Sequence, residues 1–195
     1  MFKIACIGDS LTWGYLVDER EVNCYPVVLN DFLGDDYVVG NFGVNGHTML
    51  KTGDAPYWEH ENFKLSTMFE PDIVIIMLGS NDAKPRNFTT IDDYLADYEA
   101  MITHYRGLGS KPRVYMATPP TIYPDSTGMS TIVAENVELM ADAVRGLGKK
   151  LRVSVIDVNK KTKDFAVGFV DDGVHTTVKG AKLIAETVFR ELSKK

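Results

Sequence analysis

Cysteine is scarce in this sequence, and its scarcity excludes a fold held together by disulfides. The only two cysteines are Cys6 and Cys24, which are too few to build a disulfide framework. Cys6 also lies within an apolar run that has the pattern of a buried strand. Because buried free thiols are typical of a reducing compartment, we expect a cytoplasmic protein.

Long apolar runs and an excess of positive charge are also missing. The longest wholly apolar stretch, residues 73–78, is far shorter than the roughly 20 residues that a membrane-spanning helix needs. The chain carries 21 Lys and Arg against 27 Asp and Glu, a formal net charge of −6. Nucleic acids and anionic membranes both attract clustered basic residues. We therefore expect neither of them as a partner, and the oligomeric state stays open.

The overall amino-acid composition is that of an ordinary globular domain. Of the 195 residues, 45% are hydrophobic and 25% are charged, which excludes a disordered or fibrous chain. This length predicts one domain over residues 1–195.

Short apolar segments alternate along the chain with amphipathic ones. The apolar segments are rich in β-branched and aromatic residues and end in turn residues, as buried strands do; they cover residues 2–7, 37–42, 72–78, 113–117 and 152–158. Between them, apolar residues recur at helical spacing, most clearly after Thr90, where Asp93 completes a candidate capping box. The pattern predicts an α/β/α sandwich of three layers around a five-stranded parallel sheet, for which we expect the order 2-1-3-4-5.

Ligands of such sheets bind at the carboxyl ends of the strands. The first two predicted strands are followed there by loops that contain candidate functional residues. The first loop begins Gly8-Asp9-Ser10, in which a serine stands beside a glycine that permits a sharp turn. The second contains Gly46 and His47. Ser10 is either a helix cap or an exposed nucleophile, and Gly46 is either turn punctuation or the donor of a backbone N–H to an anionic oxygen.

Two further polar motifs complete this set. Asn81 and Asp82 follow the third strand, where they form either an Asx turn or a side-chain donor into the same space. Asp172 and His175 precede the last helix, three positions apart. That spacing allows the carboxylate to bind one ring nitrogen and leave the other as a base, although such a pair is also common in an ordinary capped turn.

Together the four motifs resemble those of the SGNH, or GDSL, hydrolases. Gly8-Asp9-Ser10-Leu11, Gly46, Gly79-x-Asn81-Asp82 and Asp172-x-x-His175 occur in the family's order, each at the end of a predicted strand or before the last helix. The stretches 56–58 and 78–85 are similar to those of bacterial carbohydrate O-acetylesterases, including sialate and xylan types.

The resemblance implies a flavodoxin-like fold and a serine esterase with a Ser10–His175–Asp172 triad. It also implies an oxyanion hole formed by the Ser10 N–H, the Gly46 N–H and the Asn81 side chain. No metal or organic cofactor is expected. The expected substrate is a small-molecule or oligosaccharide ester, with acetyl as the acyl group. Asp9, His47, Tyr57 and Trp58 are candidates for the substrate pocket, the last two as a platform for a sugar ring.

Other functions remain compatible with the sequence. The same residues serve a broad-specificity carboxylesterase, an acyl-thioesterase or a lysophospholipase. A metal-dependent phosphoesterase would instead use the strand-end carboxylates, Asn81 and His175 as ligands. A silent glycan-binding module would keep the fold without turnover. A nucleotide-binding domain is disfavoured, because both G-x-x-x-x-G-K-[ST] and G-x-G-x-x-G are missing.

Overall fold

The computed structural model describes residues 1–194, and its centre is a parallel sheet. Within those residues the chain forms five strands in the order β2-β1-β3-β4-β5. Their bounds are Phe2–Gly8 (β1), Tyr37–Gly43 (β2), Ile73–Met77 (β3), Arg113–Ala117 (β4) and Ser154–Ile156 (β5). All neighbouring strands pair in parallel. The predicted sheet order is confirmed.

Eight helices lie between the strands and after the last one over the same described residues. They are Ser10–Trp13 (α1), Arg20–Asn23 (α2), Tyr25–Leu33 (α3), Glu61–Met68 (α4), Ile91–Arg106 (α5), Ala134–Leu151 (α6), Val158–Thr162 (α7) and Val178–Leu192 (α8). Short 3₁₀ turns lie at Tyr57–Glu59 and Ala166–Gly168. The predicted cap of α5 is present, since the Thr90 side chain accepts a hydrogen bond from the Asp93 N–H. No helix in this part of the chain is both long and apolar enough to span a membrane.

The helices form a layer on each face of the sheet, which explains why the strands are apolar without alternation. Consecutive strand residues point to opposite faces, and both faces carry a buried core. Ala5 and Ile7 of β1 belong to the core shared with α5 and α6, whereas Ile4 and Cys6 belong to the core shared with α3 and α8. The three-layer architecture predicted from the sequence is therefore confirmed.

The last strand is shorter than predicted. Residues 152–158 read as one apolar segment, but β5 covers only Ser154–Ile156. Arg152 takes a left-handed conformation, with φ of 52°, and caps α6. Asp157 caps α7 by accepting the Lys160 N–H, and Val158 opens that helix. Two helix ends thus occupy the flanks of the predicted strand.

Candidate active site

Ser10 stands where β1 turns sharply into α1. A Cβ at Gly8 would overlap the Thr12 side chain and lie 2.8 Å from the Met77 carbonyl oxygen, so this position requires glycine. The Asp9 carboxylate caps the helix by accepting the Leu11 N–H at 3.0 Å. As the first residue of the helix, Ser10 has a backbone N–H without an intrahelical acceptor. The turn therefore presents both the hydroxyl and this N–H at the edge of the sheet.

Asp172 and His175 lie in the loop before α8 and extend from Ser10 in a hydrogen-bonded line. His175 Nε2 is 3.0 Å from Ser10 Oγ, and His175 Nδ1 is 2.6 Å from Asp172 Oδ2. Because a carboxylate accepts, Nδ1 carries the proton, and the neutral ring accepts the Ser10 hydroxyl proton at Nε2. The arrangement is that of a nucleophile, a base and a carboxylate that orients the base.

The second Asp172 oxygen anchors the loop itself. Oδ1 accepts the backbone N–H groups of Val174 and His175, each at 2.9 Å. Although burial opposes it, these hydrogen bonds and the one from the His175 ring hold the pKa of Asp172 below its ordinary value. Asp172 is therefore ionised at neutral pH and accepts the proton of His175 Nδ1.

Gly46 and Asn81 reach the same space from the ends of β2 and β3. Gly46 has a φ of 79°, a left-handed conformation that favours glycine. Asn81 Nδ2 donates one hydrogen bond to the His47 carbonyl oxygen at 3.1 Å. A side-chain amide has two N–H groups, so the second remains for a ligand. Ser10, Gly46 and Asn81 line one cavity, and their donors suit an oxygen that gains negative charge.

Asp82 connects the loops that carry these donors. Its two carboxylate oxygens accept the backbone N–H groups of Met49 and Leu50, at 3.0 and 2.7 Å. Burial raises the pKa of Asp82 to about 6, against the lowering effect of these N–H groups. Asp82 thus holds the segment after Gly46 against the segment after β3. The carboxylate is occupied by backbone donors, and residues 1–194 contain no cluster of three metal-ligating side chains.

A cavity of about 810 Å³ opens over Ser10, Asp172 and His175. Tyr15 and Leu16 line it, and so does Lys84, three positions after Asn81. The segment 127–132, which follows β4, contributes Thr127, Met129, Ser130, Thr131 and Ile132. Sequence reasoning missed these residues, because they lie in connections without periodicity. The signal available was the run of apolar and aromatic residues that directly follows the Ser10 turn.

Tyr57 and Trp58 do not line this cavity; burial rules out Tyr57 as part of the predicted sugar platform, and the role of Trp58 stays a prediction. Tyr57 has no exposed surface, and its hydroxyl donates to the Phe42 carbonyl oxygen at 2.7 Å. The Trp58 Nε1–H donates to the Met49 carbonyl oxygen at 2.8 Å. The Lys51 ammonium lies over the indole, 4.2 Å from the ring centroid. The Tyr57 ring is therefore closed to a ligand, whereas the Trp58 side chain remains partly exposed.

The two other candidates for the substrate pocket, Asp9 and His47, also lie outside the cavity lining. Asp9 is 1% exposed and serves the Ser10 turn as described above. The His47 ring packs edge-on against His60, with ring centroids 4.8 Å apart. The backbone carbonyl of His47 contributes to the site as the acceptor for Asn81. Asp9 is too buried to contact a substrate, whereas contact between the His47 ring and substrate stays a prediction.

Comparisons with known proteins identify the family of this chain. The sequence profile of the GDSL-like lipase/acylhydrolase family matches residues 6–183. An acetylxylan esterase of Xylanibacter ruminicola is 33% identical over 204 residues, covering 95% of this chain. The chain spans 42% of the length of that esterase.

Solved structures with 22% sequence identity share the fold. A carbohydrate acetylesterase family member from Sinorhizobium meliloti superposes with a TM-score of 0.80, covering 98% of this chain and 97% of that one. For an arylesterase described as putative, from Agrobacterium tumefaciens, the TM-score is 0.81 and the coverage 98% of both chains.

Proposed function

The chain belongs to the GDSL-like lipase/acylhydrolase family, a family of carboxylic ester hydrolases, and on that premise we propose that it removes acetyl groups from carbohydrate esters. Ser10 is the nucleophile, His175 the general base and acid, and Asp172 the residue that orients His175. The observation that carries the proposal is the hydrogen-bonded line from Ser10 Oγ through His175 to Asp172, with spacings of 3.0 and 2.6 Å.

In the first step, Ser10 Oγ attacks the ester carbonyl carbon while its proton passes to His175 Nε2. The carbonyl oxygen becomes an oxyanion, which accepts hydrogen bonds from the N–H groups of Ser10 and Gly46 and from Asn81 Nδ2. The tetrahedral intermediate then collapses. The bond to the alcohol oxygen breaks, His175 Nε2 returns the proton to that oxygen, and an acetyl-Ser10 ester remains.

In the second step, water replaces the alcohol. His175 Nε2 takes a proton from the water, and the resulting hydroxide attacks the acetyl carbonyl carbon. Collapse of the second intermediate returns the proton to Ser10 Oγ and releases acetic acid. Asp172 stays ionised throughout and stabilises the transient imidazolium, so the cycle needs no metal or organic cofactor.

Two observations support a carbohydrate ester as substrate. The cavity combines apolar side chains with hydroxyl and amide groups, among them Asn45, Thr127 and Ser130, and a sugar needs both kinds of contact. In addition, the relative with 33% identity is an acetylxylan esterase. The proposal for this chain rests on the two together.

The test compares acetyl, butyryl and octanoyl esters of one aryl alcohol with acetylated xylose, using Ser10→Ala as the control. We expect the acetyl esters to be hydrolysed fastest and Ser10→Ala to lose about 10⁶-fold in kcat. A preference for octanoyl esters would instead indicate a lipid esterase, and a preference for aryl esters over acetylated xylose a broad-specificity carboxylesterase. A Ser10→Ala variant that keeps most of its activity would exclude the serine mechanism.

A metal-dependent phosphoesterase is the alternative from a different class. Its candidate ligands Asp9 and Asp82 are buried and already accept backbone N–H groups. We therefore expect esterase activity to survive exhaustive dialysis against a chelator. Loss of activity on chelation, restored by a divalent cation, would favour the phosphoesterase.

A further inference from the structure

We propose that Tyr15 forms the subsite for the leaving alcohol and stacks against its sugar ring. The inference rests on the proposed function, because it takes the leaving group to be a sugar. Instead of the platform that the sequence suggested at Tyr57 and Trp58, it uses a residue two positions after the end of α1.

The mechanism determines where the leaving alcohol lies. His175 Nε2 must return its proton to the alcohol oxygen, so that oxygen comes within hydrogen-bond distance of Nε2 in the transition state. The carbonyl oxygen, in contrast, points toward the donors of Gly46 and Asn81. The sugar attached to the alcohol oxygen therefore occupies the part of the cavity beside the imidazole.

Tyr15 is the aromatic residue that stands at that place. Its ring centroid is 4.8 Å from that of the His175 ring, and the two planes are inclined at 69°. Tyr15 lines the cavity and is 45% exposed. Tyr15 is thus nearly half exposed beside the group that protonates the leaving alcohol, whereas Tyr57 is fully covered.

The backbone holds Tyr15 in a fixed position relative to the nucleophile. The Ser10 carbonyl oxygen accepts the N–H groups of both Gly14 and Tyr15, each at 2.9 Å. Gly14 makes this turn possible with a φ of 91°, and a Cβ there would lie 2.5 Å from the Cys24 Cβ. Since Tyr15 is tied to Ser10 itself, its ring is preorganised for a substrate bound at the Ser10 hydroxyl.

Leu16 extends the same apolar surface. It lines the cavity, is 52% exposed and has a left-handed φ of 63°. A left-handed conformation is unfavourable for a leucine, and burial in the core does not offset that cost here because the residue is about half exposed. Strained, exposed residues of this kind cluster at ligand sites. A bound sugar would cover both side chains.

A pyranose fits this surface better than an acyl chain does. One face of a pyranose is lined by C–H groups, which suit the negative face of an aromatic ring. The acetyl methyl group is too small to cover Tyr15, and its carbonyl carbon is held at Ser10 Oγ. The hydroxyl groups of the sugar remain at its edge, where the polar residues of the cavity, such as Asp171, can accept them.

The experiment measures the ratio of kcat/KM for acetylated xylose to kcat/KM for ethyl acetate, whose leaving alcohol has no ring. Any effect of a substitution on His175 itself cancels in this ratio. We expect Tyr15→Leu to lower the ratio about tenfold, mainly through KM, and Tyr15→Phe to restore it, because the phenyl ring keeps the stacking face. Phe2→Leu is the matched control, since Phe2 is 57% exposed but lies at the opposite end of β1.

A binding measurement gives an independent readout. Xylobiose should inhibit hydrolysis of ethyl acetate, and its inhibition constant should rise about tenfold in Tyr15→Leu. An unchanged ratio and an unchanged inhibition constant would overturn the proposal, as would a Tyr15→Phe variant as deficient as Tyr15→Leu. Failure of the proposed function looks different: the wild type would then hydrolyse ethyl acetate without hydrolysing acetylated xylose, or Ser10→Ala would stay active.

Discussion

Replacing Asp9 by asparagine tests whether the turn before the nucleophile contains a protonated carboxyl group. Asp9 is 1% exposed, and burial raises its pKa from 3.8 to about 7. The Leu11 N–H lowers the pKa and the nearby Asp82 carboxylate raises it, but burial is the largest effect. In the unfolded chain the carboxyl group regains a value near 3.8.

The magnitude follows from linkage between protonation and folding. Between about pH 4 and pH 7 the folded protein binds a proton at Asp9 that the unfolded chain has released, so the free energy of unfolding decreases as pH rises. A tenfold change in an equilibrium constant is about 1.4 kcal/mol. A carboxyl group with a folded pKa of about 7 instead of 3.8 therefore removes about 4 kcal/mol of stability by pH 8.

Asp9→Asn should abolish this dependence. The asparagine carbonyl oxygen can still accept the Leu11 N–H, and it carries no charge at any pH. We expect the variant to match the wild type near pH 4 and to exceed it by up to about 4 kcal/mol at pH 8. The assay is urea unfolding followed by circular dichroism at several pH values, with Asp31→Asn on the exposed surface of α3 as control. A difference between wild type and Asp9→Asn that is constant from pH 4 to pH 8 would refute the reasoning.

Three further outcomes are expected. Asn81→Ala should lower kcat by about 10²–10³ through loss of an oxyanion donor; a loss below tenfold in ester hydrolysis assays would limit Asn81 to anchoring His47. Asp172→Asn should lower kcat by about 10⁴ because the histidine then adopts the wrong tautomer, and equal activity would contradict the orienting role. In α6, the Cβ added by Gly146→Ala would meet no atom within 4 Å, so this substitution should raise the free energy of unfolding by about 1 kcal/mol. The Cβ added by Gly148→Ala would overlap the Val155 side chain, so this one should lower the free energy of unfolding by about 1–3 kcal/mol. Urea midpoints measure both, and equal shifts would contradict this account.

The strands of the parallel sheet and the positions of the four motifs at its edge could be predicted because they depend on short-range patterns. Buried parallel strands are apolar without alternation, and residues such as Ser10, Asn81 and His175 stand directly where those elements end or begin. In an all-parallel sheet these ends meet at one edge. The structure indeed brings Ser10 and His175 within hydrogen-bond distance.

The walls of the cavity could not be predicted in the same way. Whether an aromatic side chain is open or covered depends on residues outside its own helix or strand. The Trp58 indole donates a hydrogen bond to the Met49 carbonyl oxygen and lies under the Lys51 ammonium. No local pattern indicates those contacts. Tyr15, in contrast, follows a left-handed Gly14 and precedes a left-handed Leu16, so it belongs to neither a helical nor a strand period.

The hydrogen bond between Ser10 and His175 joins residues 165 positions apart, and this separation ties turnover to the completion of folding. A nascent chain that has not yet reached residue 175 has a nucleophile without a base. During refolding, ester hydrolysis should likewise return only when α8 and the loop before it have docked beside α3, later than the signal from helix formation. Hydrolysis of a chromogenic acetate therefore reports this last assembly step. It can be measured at protein concentrations too low for spectroscopy of the fold itself.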